Sequence, residues 1–561
     1  MRKLLAALAL AAAGLAAAQA PRAADRKHFS VVEASIADMR AALEQRRTSS
    51  HDIVQQYLAR IAMYEDRLHA AIRINPHALE EADVLDRERR QGHLRGPLHG
   101  IPIALKDNIQ TTTMPTTGGA MAFADFVPPY EATLTRNLRE AGAIIIAKTA
   151  MTELANWVAE SMPPNYSAIG GFGLNPYDAR HDLRGGLADG RPVLSAGGSS
   201  SGAGTAANLW AANVGTETSG SILNPSNQNM LVGIKPTVGR ISRYGVIPIS
   251  ADQDTPGPMA KTVADAALLL GVLEGAAPDS HDPAAGACPA PPNHDYMPFL
   301  RRDGLRGARI GIPRAYFYEG TTPPGTGAEY GGLTDEQAAV MEQAIATLKA
   351  QGAVIVDPAN LPSITARDAD RNYLLWPVCS GPQDERGRDE DCSVVLKYGM
   401  KRDFNAWLAS LGRAAPVKSL EELRAWNRDH QLAGAIRYGQ AQLDVSDQIS
   451  VPGDRARYEA DRAKDLRLTA KEGIDEVLRE QHLDALLFPG FNGAALAARP
   501  GYPTVIVPFG LVANPARPDP NARPAPFGVS FTAGACSEPK LIELAYSFEQ
   551  ATRRRVPPPL D

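Results

Sequence analysis

A stretch of small residues from Gly197 to Ser221 constrains the fold more than any other part of the chain. Its glycines, at 197, 198, 202, 204, 215 and 220, allow close approach of the backbone and expose N–H groups. Its serines, at 199, 200, 201, 219 and 221, supply hydroxyls that can attack, donate or relay protons. The combination predicts a nucleophile beside an oxyanion-stabilising site. A flexible linker is the alternative, but the run from Ala206 to Ala212 favours a helix, which linkers rarely enclose.

Short apolar runs alternate with helical patterns along the rest of the chain. We predict strands at 101–105, 143–147, 232–235, 246–249, 309–312, 354–356, 485–488 and 504–507. We predict helices at 36–64, 76–91, 133–140, 262–273, 335–351 and 455–478. In the first of these, Ser35 and Ser50 are candidate N-caps, and the expected core positions are Met39, Leu43, Ile53, Tyr57, Ile61 and Met63. The alternation predicts an α/β fold in one large domain, with a mostly helical inserted section at about 360–480.

Composition excludes several classes of protein. The chain has 561 residues, and a hydrophobic content of 44% is enough for a large core, so it is not a disordered protein. A net charge of −5 without a long basic run does not favour a nucleic-acid partner.

The N-terminus has the pattern of a secretory signal peptide. Arg2 and Lys3 precede an uncharged run of Leu and Ala broken only by Gly14, and small residues end the segment at Ala20. The apolar run is short for a membrane span, so we expect no stable membrane insertion. Residues 1–20 are therefore predicted to be removed, and the mature protein to be periplasmic or secreted.

Export makes disulfides possible for the four cysteines. A Cys379–Cys392 bridge is favoured, because these residues bracket a short polar stretch, and it would contribute about 3 kcal/mol. Cys288 and Cys536 could form another bridge, although spacing does not settle the connectivity. No Cys/His spacing resembles a metal site.

Lys106 is a candidate base for a serine nucleophile. It ends the apolar run from Ile101 to Leu105, which can desolvate its amine. Lowering the pKa of a lysine to about 7 requires about 4–5 kcal/mol of differential stabilisation. Asp107 would oppose this, so its side chain is expected to point away, as successive side chains do in a strand. A surface lysine at a strand end remains the alternative.

Two other motifs overlap the serine stretch. Gly198-Ser-Ser-Ser-Gly202 fits the G-x-S-x-G elbow of an α/β-hydrolase, but no good strand precedes it. That interpretation also needs a downstream histidine, for which the candidates are His281, His294, His430 and His482. Gly202-Ala-Gly-Thr-Ala-Ala207 fits a dinucleotide fingerprint, again without a strand leading into it.

A resemblance to a known family covers nearly the whole mature chain. The matching blocks are Gly100-Ile-Pro-Ile-Ala-Leu-Lys-Asp-Asn108, Asn175-Pro-Tyr-Asp178, Gly197-Gly-Ser-Ser-Ser-Gly202, Gly215-Thr-Glu-Thr-Ser-Gly-Ser221, Gly233-Ile-Lys-Pro-Thr-Val-Gly239, Asp254-Thr-Pro-Gly-Pro-Met259, Gly501-Tyr-Pro-Thr504 and the stretch from Ser537 to Gln550. In this order they resemble the amidase signature family of Ser-cis-Ser-Lys hydrolases, and the Thr-Glu-Thr-x-Gly-Ser form most resembles bacterial members that include peptide amidases.

The resemblance implies a site and a mechanism. Ser221 matches the nucleophile, Ser199 the bridging serine with a cis peptide bond, and Lys106 the base acting through Ser199. Backbone N–H groups of the oxyanion hole match Thr218, Ser219, Gly220 and Ser221. The implied fold is a single large domain over about 30–555, with a central mixed β-sheet covered by helices on both faces. The implied substrate is a small-molecule or peptide amide, with no metal or organic cofactor; oligomeric state is left open.

The same mechanism also fits an esterase, and an exported binding protein with an inactive site is a further alternative. Export argues against the glutaminase subunit of a tRNA-dependent amidotransferase.

Two features depart from the family pattern. The interval from Ser199 to Ser221 is about two residues short, which would turn a helix by roughly 200° unless the loop after Ser201 absorbs the difference. If the loop does not absorb the difference, Ser200 rather than Ser199 is the bridging serine. The segment 179–196 is longer than usual, and either forms a solvated surface loop or borders the substrate entrance; its charged residues and histidine are His181, Asp182, Arg184, Asp189 and Arg191.

Overall fold

The apolar runs of the sequence form strands of one mixed sheet. In the computed structural model, which describes residues 29–184, 189–198, 202–514 and 523–560, the strands are β1 (Ala71–Ile74), β2 (Pro102–Lys106), β3 (Ile144–Thr149), β4 (Tyr166–Ser167), β5 (Gly171–Phe172), β6 (Ala212–Glu217), β7 (Val232–Lys235), β8 (Thr255–Ala260), β9 (Arg309–Gly311), β10 (Gly320–Thr321), β11 (Tyr330–Gly331), β12 (Val354–Val356), β13 (Ala485–Pro489), β14 (Thr504–Val512) and β15 (Ala525–Thr532). Eleven of these described strands form the sheet, in the order β1-β3-β2-β6-β8-β7-β14-β15-β13-β9-β12, and β4-β5 and β10-β11 form two small hairpins.

Both faces of this sheet are covered. Strand β2 pairs in parallel with β3 and β6, whereas β8, β7, β14 and β15 follow in antiparallel pairings. Every residue of β2, β3, β6, β7, β8, β13 and β15 is buried. Because successive side chains of a strand point to opposite faces, complete burial requires helices or loops on both. The predicted single α/β domain with a mixed central sheet is confirmed.

Helices supply the covering layers. Their bounds are α1 (Ile36–Glu44), α2 (Ser50–Leu68), α3 (Ala78–Arg90), α4 (Thr133–Glu140), α5 (Ala203–Ala206), α6 (Leu223–Gln228), α7 (Val263–Glu274), α8 (Asp335–Ala350), α9 (Pro362–Thr365), α10 (Val395–Ser410), α11 (Leu420–Asp429), α12 (Ala441–Asp447), α13 (Arg455–Leu466), α14 (Asp475–Glu480), α15 (Ala494–Ala498) and α16 (Glu538–Thr552). A π-helical segment, Arg467–Ile474, joins α13 to α14.

The N-terminal helical region differs from its prediction in two details. It is two helices, and Ser35 caps the first, but Ser49 rather than Ser50 caps the second. Ser49 is the N-cap because it forms a capping box with Asp52: the Asp52 carboxylate accepts the backbone N–H of Ser49, and the Ser49 hydroxyl accepts the backbone N–H of Asp52. Met63, predicted to be in the core, is 65% exposed.

Two other local predictions were wrong. The run from Ala206 to Ala212 is not a helix, because α5 ends at Ala206 and Ala212 already begins β6, with Asn208 at a left-handed φ of 58° between them. Residues 246–249 form no regular strand and make one isolated bridge, from Val246 to Ile109.

The section from 360 to 480 is attached to one edge of the sheet. It leaves after β12 and returns at β13, and these strands flank β9 on opposite sides. Between them the chain consists of α9 to α14, the π-helical segment and loops. Part of this section packs against the region around Phe123 and Trp157 in a second apolar cluster, separate from the main core.

The described part contains both cystine bridges considered from the sequence. Cys379 is bonded to Cys392, thirteen residues on, and Cys288 to Cys536, 248 residues on. Residues 1–20, the predicted signal peptide, lie outside the described residues. Within the described ranges, no helix combines the length and the apolarity needed to cross a membrane.

Candidate active site

Lys106 lies beneath the turn that carries Ser221. It is the last residue of β2, and β2 runs parallel to β6, whose end leads directly into residues 218–221. Its Nζ donates to the hydroxyl of Thr216 at 2.8 Å and to the carbonyl oxygen of Thr216 at 3.1 Å. The parallel register therefore brings the candidate base and the candidate nucleophile to the same edge of the sheet.

The environment of Lys106 favours a neutral amine. The side chain is 0% exposed, and burial lowers its pKa to about 7. The carboxylates of Asp254 and Glu217 act in the opposite direction, because a nearby negative charge favours the ammonium form. Desolvation outweighs both, so about half of the lysine is neutral near pH 7.

The neighbouring carboxylate of Asp107 is directed away from Lys106. Its Oδ1 lies 3.2 Å from Nζ of Lys148, on the adjacent strand β3, and both side chains are fully buried. The other carboxylate oxygen accepts the N–H of Thr117 at 3.1 Å. The expectation from strand alternation is confirmed, since Asp107 is paired with Lys148 rather than with Lys106.

The turn carrying Ser221 is fixed by the residue that precedes it. The carboxylate of Glu217, itself buried, accepts the N–H groups of Ile222 at 2.7 Å and Leu223 at 3.0 Å. These groups are the free donors at the start of α6. Gly220 adopts a φ of 92°, which favours glycine, and a Cβ there would meet only Ala494 and Phe491 near 4 Å. Glu217 thus fixes one side of the turn by hydrogen bonds, and the other side of the turn faces a cavity.

Thr218 is held from the opposite side. Its hydroxyl donates to the carboxylate of Asp254, and its carbonyl oxygen accepts from the amide of Gln253 at 3.1 Å. Asp254 also accepts the N–H groups of Ile249 and Ser250 at 2.8 and 2.9 Å. Burial raises the pKa of Asp254 to about 6. These contacts fix the first backbone group of the predicted oxyanion site.

Asn165 positions the segment that leads into the serine cluster. Its Oδ1 accepts the N–H groups of Ala196 and Gly198, both at 3.1 Å, and its Nδ2 donates to the carbonyl of Gly198 at 2.8 Å. Gly197 must be glycine, because it has a φ of 95° and a Cβ there would lie 2.3 Å from the backbone of Pro225. Sequence reasoning missed Asn165, which belongs to no recognised motif.

Ser199, the predicted bridge, and Ser200, its alternative, lie outside the described residues, as does Ser201. The cis peptide bond expected at Ser199 also falls there. The flanking residues are described: Gly198 lines the cavity next to Ser221, and Gly202 begins the turn into α5.

The cavity in front of Ser221 has a volume of about 580 Å³, a size suited to a small ligand. Thr218, Ser219, Gly220 and Ser221 together form part of its wall. The remaining lining comes from distant parts of the chain: Ala155, Asn156, Trp157, Pro164, Gly197, Gly198, Asn224, Ile249, Tyr316, Gly331, Gly332, Val378, Ser380, Leu396, Gln442, Phe491, Asn492, Ala494 and Ala495. Lys106 lies behind this wall rather than in it.

The two competing motif interpretations find little support. No strand of the described chain leads into Gly198 or Gly202, as an elbow or a dinucleotide fingerprint would require. Gly204 instead serves packing, since a Cβ there would lie 2.0 Å from the ring of buried Trp210.

The candidate histidines of the elbow interpretation also lie elsewhere. None of His281, His294, His430 and His482 lines the cavity. His281 is hydrogen-bonded to the carboxylate of Asp279, and His430 stacks on Trp426. Among the described residues, no group of three or more His, Cys, Asp or Glu side chains could hold a metal ion.

The described part of segment 179–196 packs against the helical section. The carboxylate of Asp189 accepts the hydroxyl of Tyr438 at 2.6 Å, and its carbonyl oxygen accepts a guanidinium N–H of Arg437 at 3.0 Å. Its own neighbour Arg191 completes the ion pair at 2.7 Å and holds the pKa of Asp189 well below its usual range. None of the described residues in this segment lines the cavity.

Comparison with known proteins gives consistent matches. The family model described as Amidase matches residues 52–541. A protein named as a probable amidase of Arabidopsis thaliana is 34% identical over 542 residues, which are 94% of this chain and 92% of that protein.

Solved structures match over a similar extent. The native peptide amidase of Stenotrophomonas maltophilia has 37% identity and a TM-score of 0.78, with 95% of this chain and 100% of that chain covered. An amidase family protein of Bacillus anthracis has 30% identity and a TM-score of 0.77, with 94% and 93% covered.

Proposed function

The chain belongs to the amidase family, and from that premise we propose that it hydrolyses a carboxamide C–N bond through an acyl-enzyme formed on Ser221. The observation that supports this most directly is a buried lysine with a pKa of about 7 beneath the turn that carries Ser221. A neutral amine can accept a proton near pH 7, whereas an ordinary lysine is almost entirely charged.

In the proposed reaction the Ser221 hydroxyl attacks the amide carbonyl, and its proton passes to Lys106 through Ser199. Backbone N–H groups of residues 218–221 stabilise the oxyanion, and Glu217 and Asp254 hold them in place before substrate binds. The protonated lysine returns the proton to the leaving nitrogen, and ammonia or an amine departs. Water then hydrolyses the acyl-Ser221 ester by the reverse proton route. A small-molecule or peptide amide is the proposed substrate, and the roles of Ser199 and the oxyanion residues rest on family resemblance.

The pH dependence of hydrolysis tests the base. With a neutral substrate, kcat/KM should be constant at high pH and fall about tenfold per unit below a pKa of about 7, because the ammonium form cannot accept a proton. Ammonia release from an N-acylated amino acid amide, assayed between pH 5 and 9, provides the profile. Circular dichroism at each pH must show that the protein remains folded. A rate that stays constant down to pH 5 would contradict a lysine base.

We also propose that the protein is exported. The signal-like residues 1–20 and the two cystine bridges both suit an oxidising compartment. Mass spectrometry of protein from the source cells should show the first 18 or 20 residues missing. Non-reducing peptide mapping should link Cys379 to Cys392 and Cys288 to Cys536. An intact Met1 together with free thiols at all four positions would contradict the proposal.

A further inference from the structure

The cavity beside Ser221 is lined by neutral groups. Among the described residues, its wall contains no Asp, Glu, Lys, Arg or His. Trp157, Val378 and Leu396 contribute apolar surface, and four residues contribute carboxamides: Asn156, Asn224, Gln442 and Asn492. Burying an ionised group against such a wall is costly, because nothing compensates its lost hydration. The wall therefore suits an uncharged ligand that carries both apolar and hydrogen-bonding groups.

Gln442 is the most distinctive polar group of this wall. It is only 7% exposed, and its Oε1 is buried without a hydrogen-bond partner among the described residues. Its backbone, by contrast, is fixed: the N–H donates to the carbonyl oxygen of Val158 at 3.0 Å, and the carbonyl oxygen accepts from the hydroxyl of Ser446 at 2.6 Å. Ser446 in turn accepts the indole N–H of Trp157 at 2.9 Å.

A carboxamide on a fixed backbone, with a buried oxygen that has no partner among the described residues, points to a ligand. A buried polar atom left unpaired costs about 1–3 kcal/mol, so proteins leave few of them. In either orientation, a carboxamide offers one acceptor and two donors. The group with the complementary set, an N–H beside a C=O and no charge, is the peptide unit. Asn224, one helical turn after Ser221, has a second buried oxygen without a partner at the same cavity.

We propose that Gln442 is a specificity-determining residue that hydrogen-bonds to the main-chain amide on the acyl side of a neutral, peptide-like substrate. It thereby selects N-acylated amino acid amides over simple carboxamides of the same shape. This inference rests on the proposed function, since it assumes that substrate occupies the cavity beside Ser221.

A matched pair of ligands tests the proposal. N-acetylphenylalaninamide and 3-phenylpropanamide share the carboxamide and the phenyl ring, but only the first has an additional peptide unit. Binding of each is measured by titration calorimetry in the Ser221→Ala background, so that no chemistry is required. In Gln442→Leu and Gln442→Met, the dissociation constant of N-acetylphenylalaninamide should rise about 5- to 10-fold, the size expected for one lost neutral hydrogen bond. That of 3-phenylpropanamide should change less than twofold, and Gln442→Asn should keep part of the preference.

Gln448→Leu is the control at the opposite end of the same helix, because Gln448 is exposed and does not line the cavity. With Ser221 intact, Gln442→Leu should raise KM for the peptide-like amide and leave kcat unchanged. Equal affinity of the two ligands, or an unchanged ratio in the folded Gln442 variants, would overturn the proposal. Failure of the amidase proposal would look different: the wild-type protein would bind these ligands without releasing ammonia.

Discussion

Replacing Ser221 by alanine should reduce amide hydrolysis by roughly 10⁴- to 10⁶-fold, the loss typical when a serine nucleophile is removed. Ser221 lines the cavity at the start of α6, and the turn that holds it depends on the Glu217 carboxylate rather than on the Ser221 hydroxyl. The variant should therefore keep its fold while losing its chemistry. Initial rates of ammonia release and thermal unfolding curves measure the two effects separately.

Ser226→Ala provides a matched control in α6, the short helix that follows Ser221. Ser226 is buried, its hydroxyl has no partner among the described residues, and it does not line the cavity. Its loss should leave the rate within about twofold. With wild-type protein and a slowly hydrolysed ester, mass spectrometry should detect an acyl group on the peptide that contains Ser221. Full amidase activity in Ser221→Ala would falsify the acyl-enzyme mechanism.

Replacing Lys106 by methionine should cost nearly as much activity, roughly 10⁴-fold or more, because base and nucleophile act as a unit. Methionine fills a similar volume without an amine, and the hydroxyl of Thr216 still receives a hydrogen bond from Asn108 at 3.0 Å. Burying the amine lowers its pKa at an energetic cost, so the variant should be at least as stable as the wild type. Adding Ser221→Ala to Lys106→Met should cost little further activity.

Lys148→Met separates catalysis from burial. This lysine is equally buried, but it pairs with Asp107, so its removal leaves a buried carboxylate unpaired and should destabilise the fold by about 3–5 kcal/mol. Lys106→Met should instead affect the rate alone. Single replacements of His281, His294, His430 and His482 should preserve activity. If one of them abolishes activity while Lys106→Met stays active, the elbow interpretation with Ser200 is correct.

Local patterns in the sequence predicted the parts of the site that one continuous segment determines. The apolar run before Lys106 predicted the buried strand, and strand alternation predicted that Asp107 points away. The run also made a desolvated amine possible, but only the family resemblance favoured it over a surface lysine. The same reasoning identified β7 with its observed bounds, Val232–Lys235. In each case the determining neighbours lie within a few residues of the side chain.

Reasoning from local patterns failed where tertiary contacts decide the structure. Strand β8 was missed because Pro256 and Pro258 argue against a central strand. The ladder to β6 needs N–H groups from alternate residues only, and β7 pairs with just the last two residues of β8. The alanine run after Ala206 has high helix propensity, yet it leads into Ala212–Glu217, which pairs with β2 on one side and β8 on the other. These pairings outweigh the local propensity.

Residues contributed from a distance were also beyond local patterns. Asn165 and Gln442 belong to no recognised motif, and their importance follows only from what they face in three dimensions. The serine cluster was recognised from its composition, whereas the walls of its cavity come from eight or more separate stretches and could not have been assembled from the sequence.

The attachment of the helical section to the sheet has an evolutionary consequence. The section starts and finishes on the two strands that flank β9, about 10 Å apart by the usual strand spacing, so its length can change without disturbing the sheet. It supplies Val378, Leu396 and Gln442 to the cavity, whereas Lys106 ends β2 and Ser221 lies in the turn after β6, both of which precede the section in the chain. Descendants of such a chain can therefore acquire new substrate ranges through changes in this one section, while the catalytic residues are inherited unchanged.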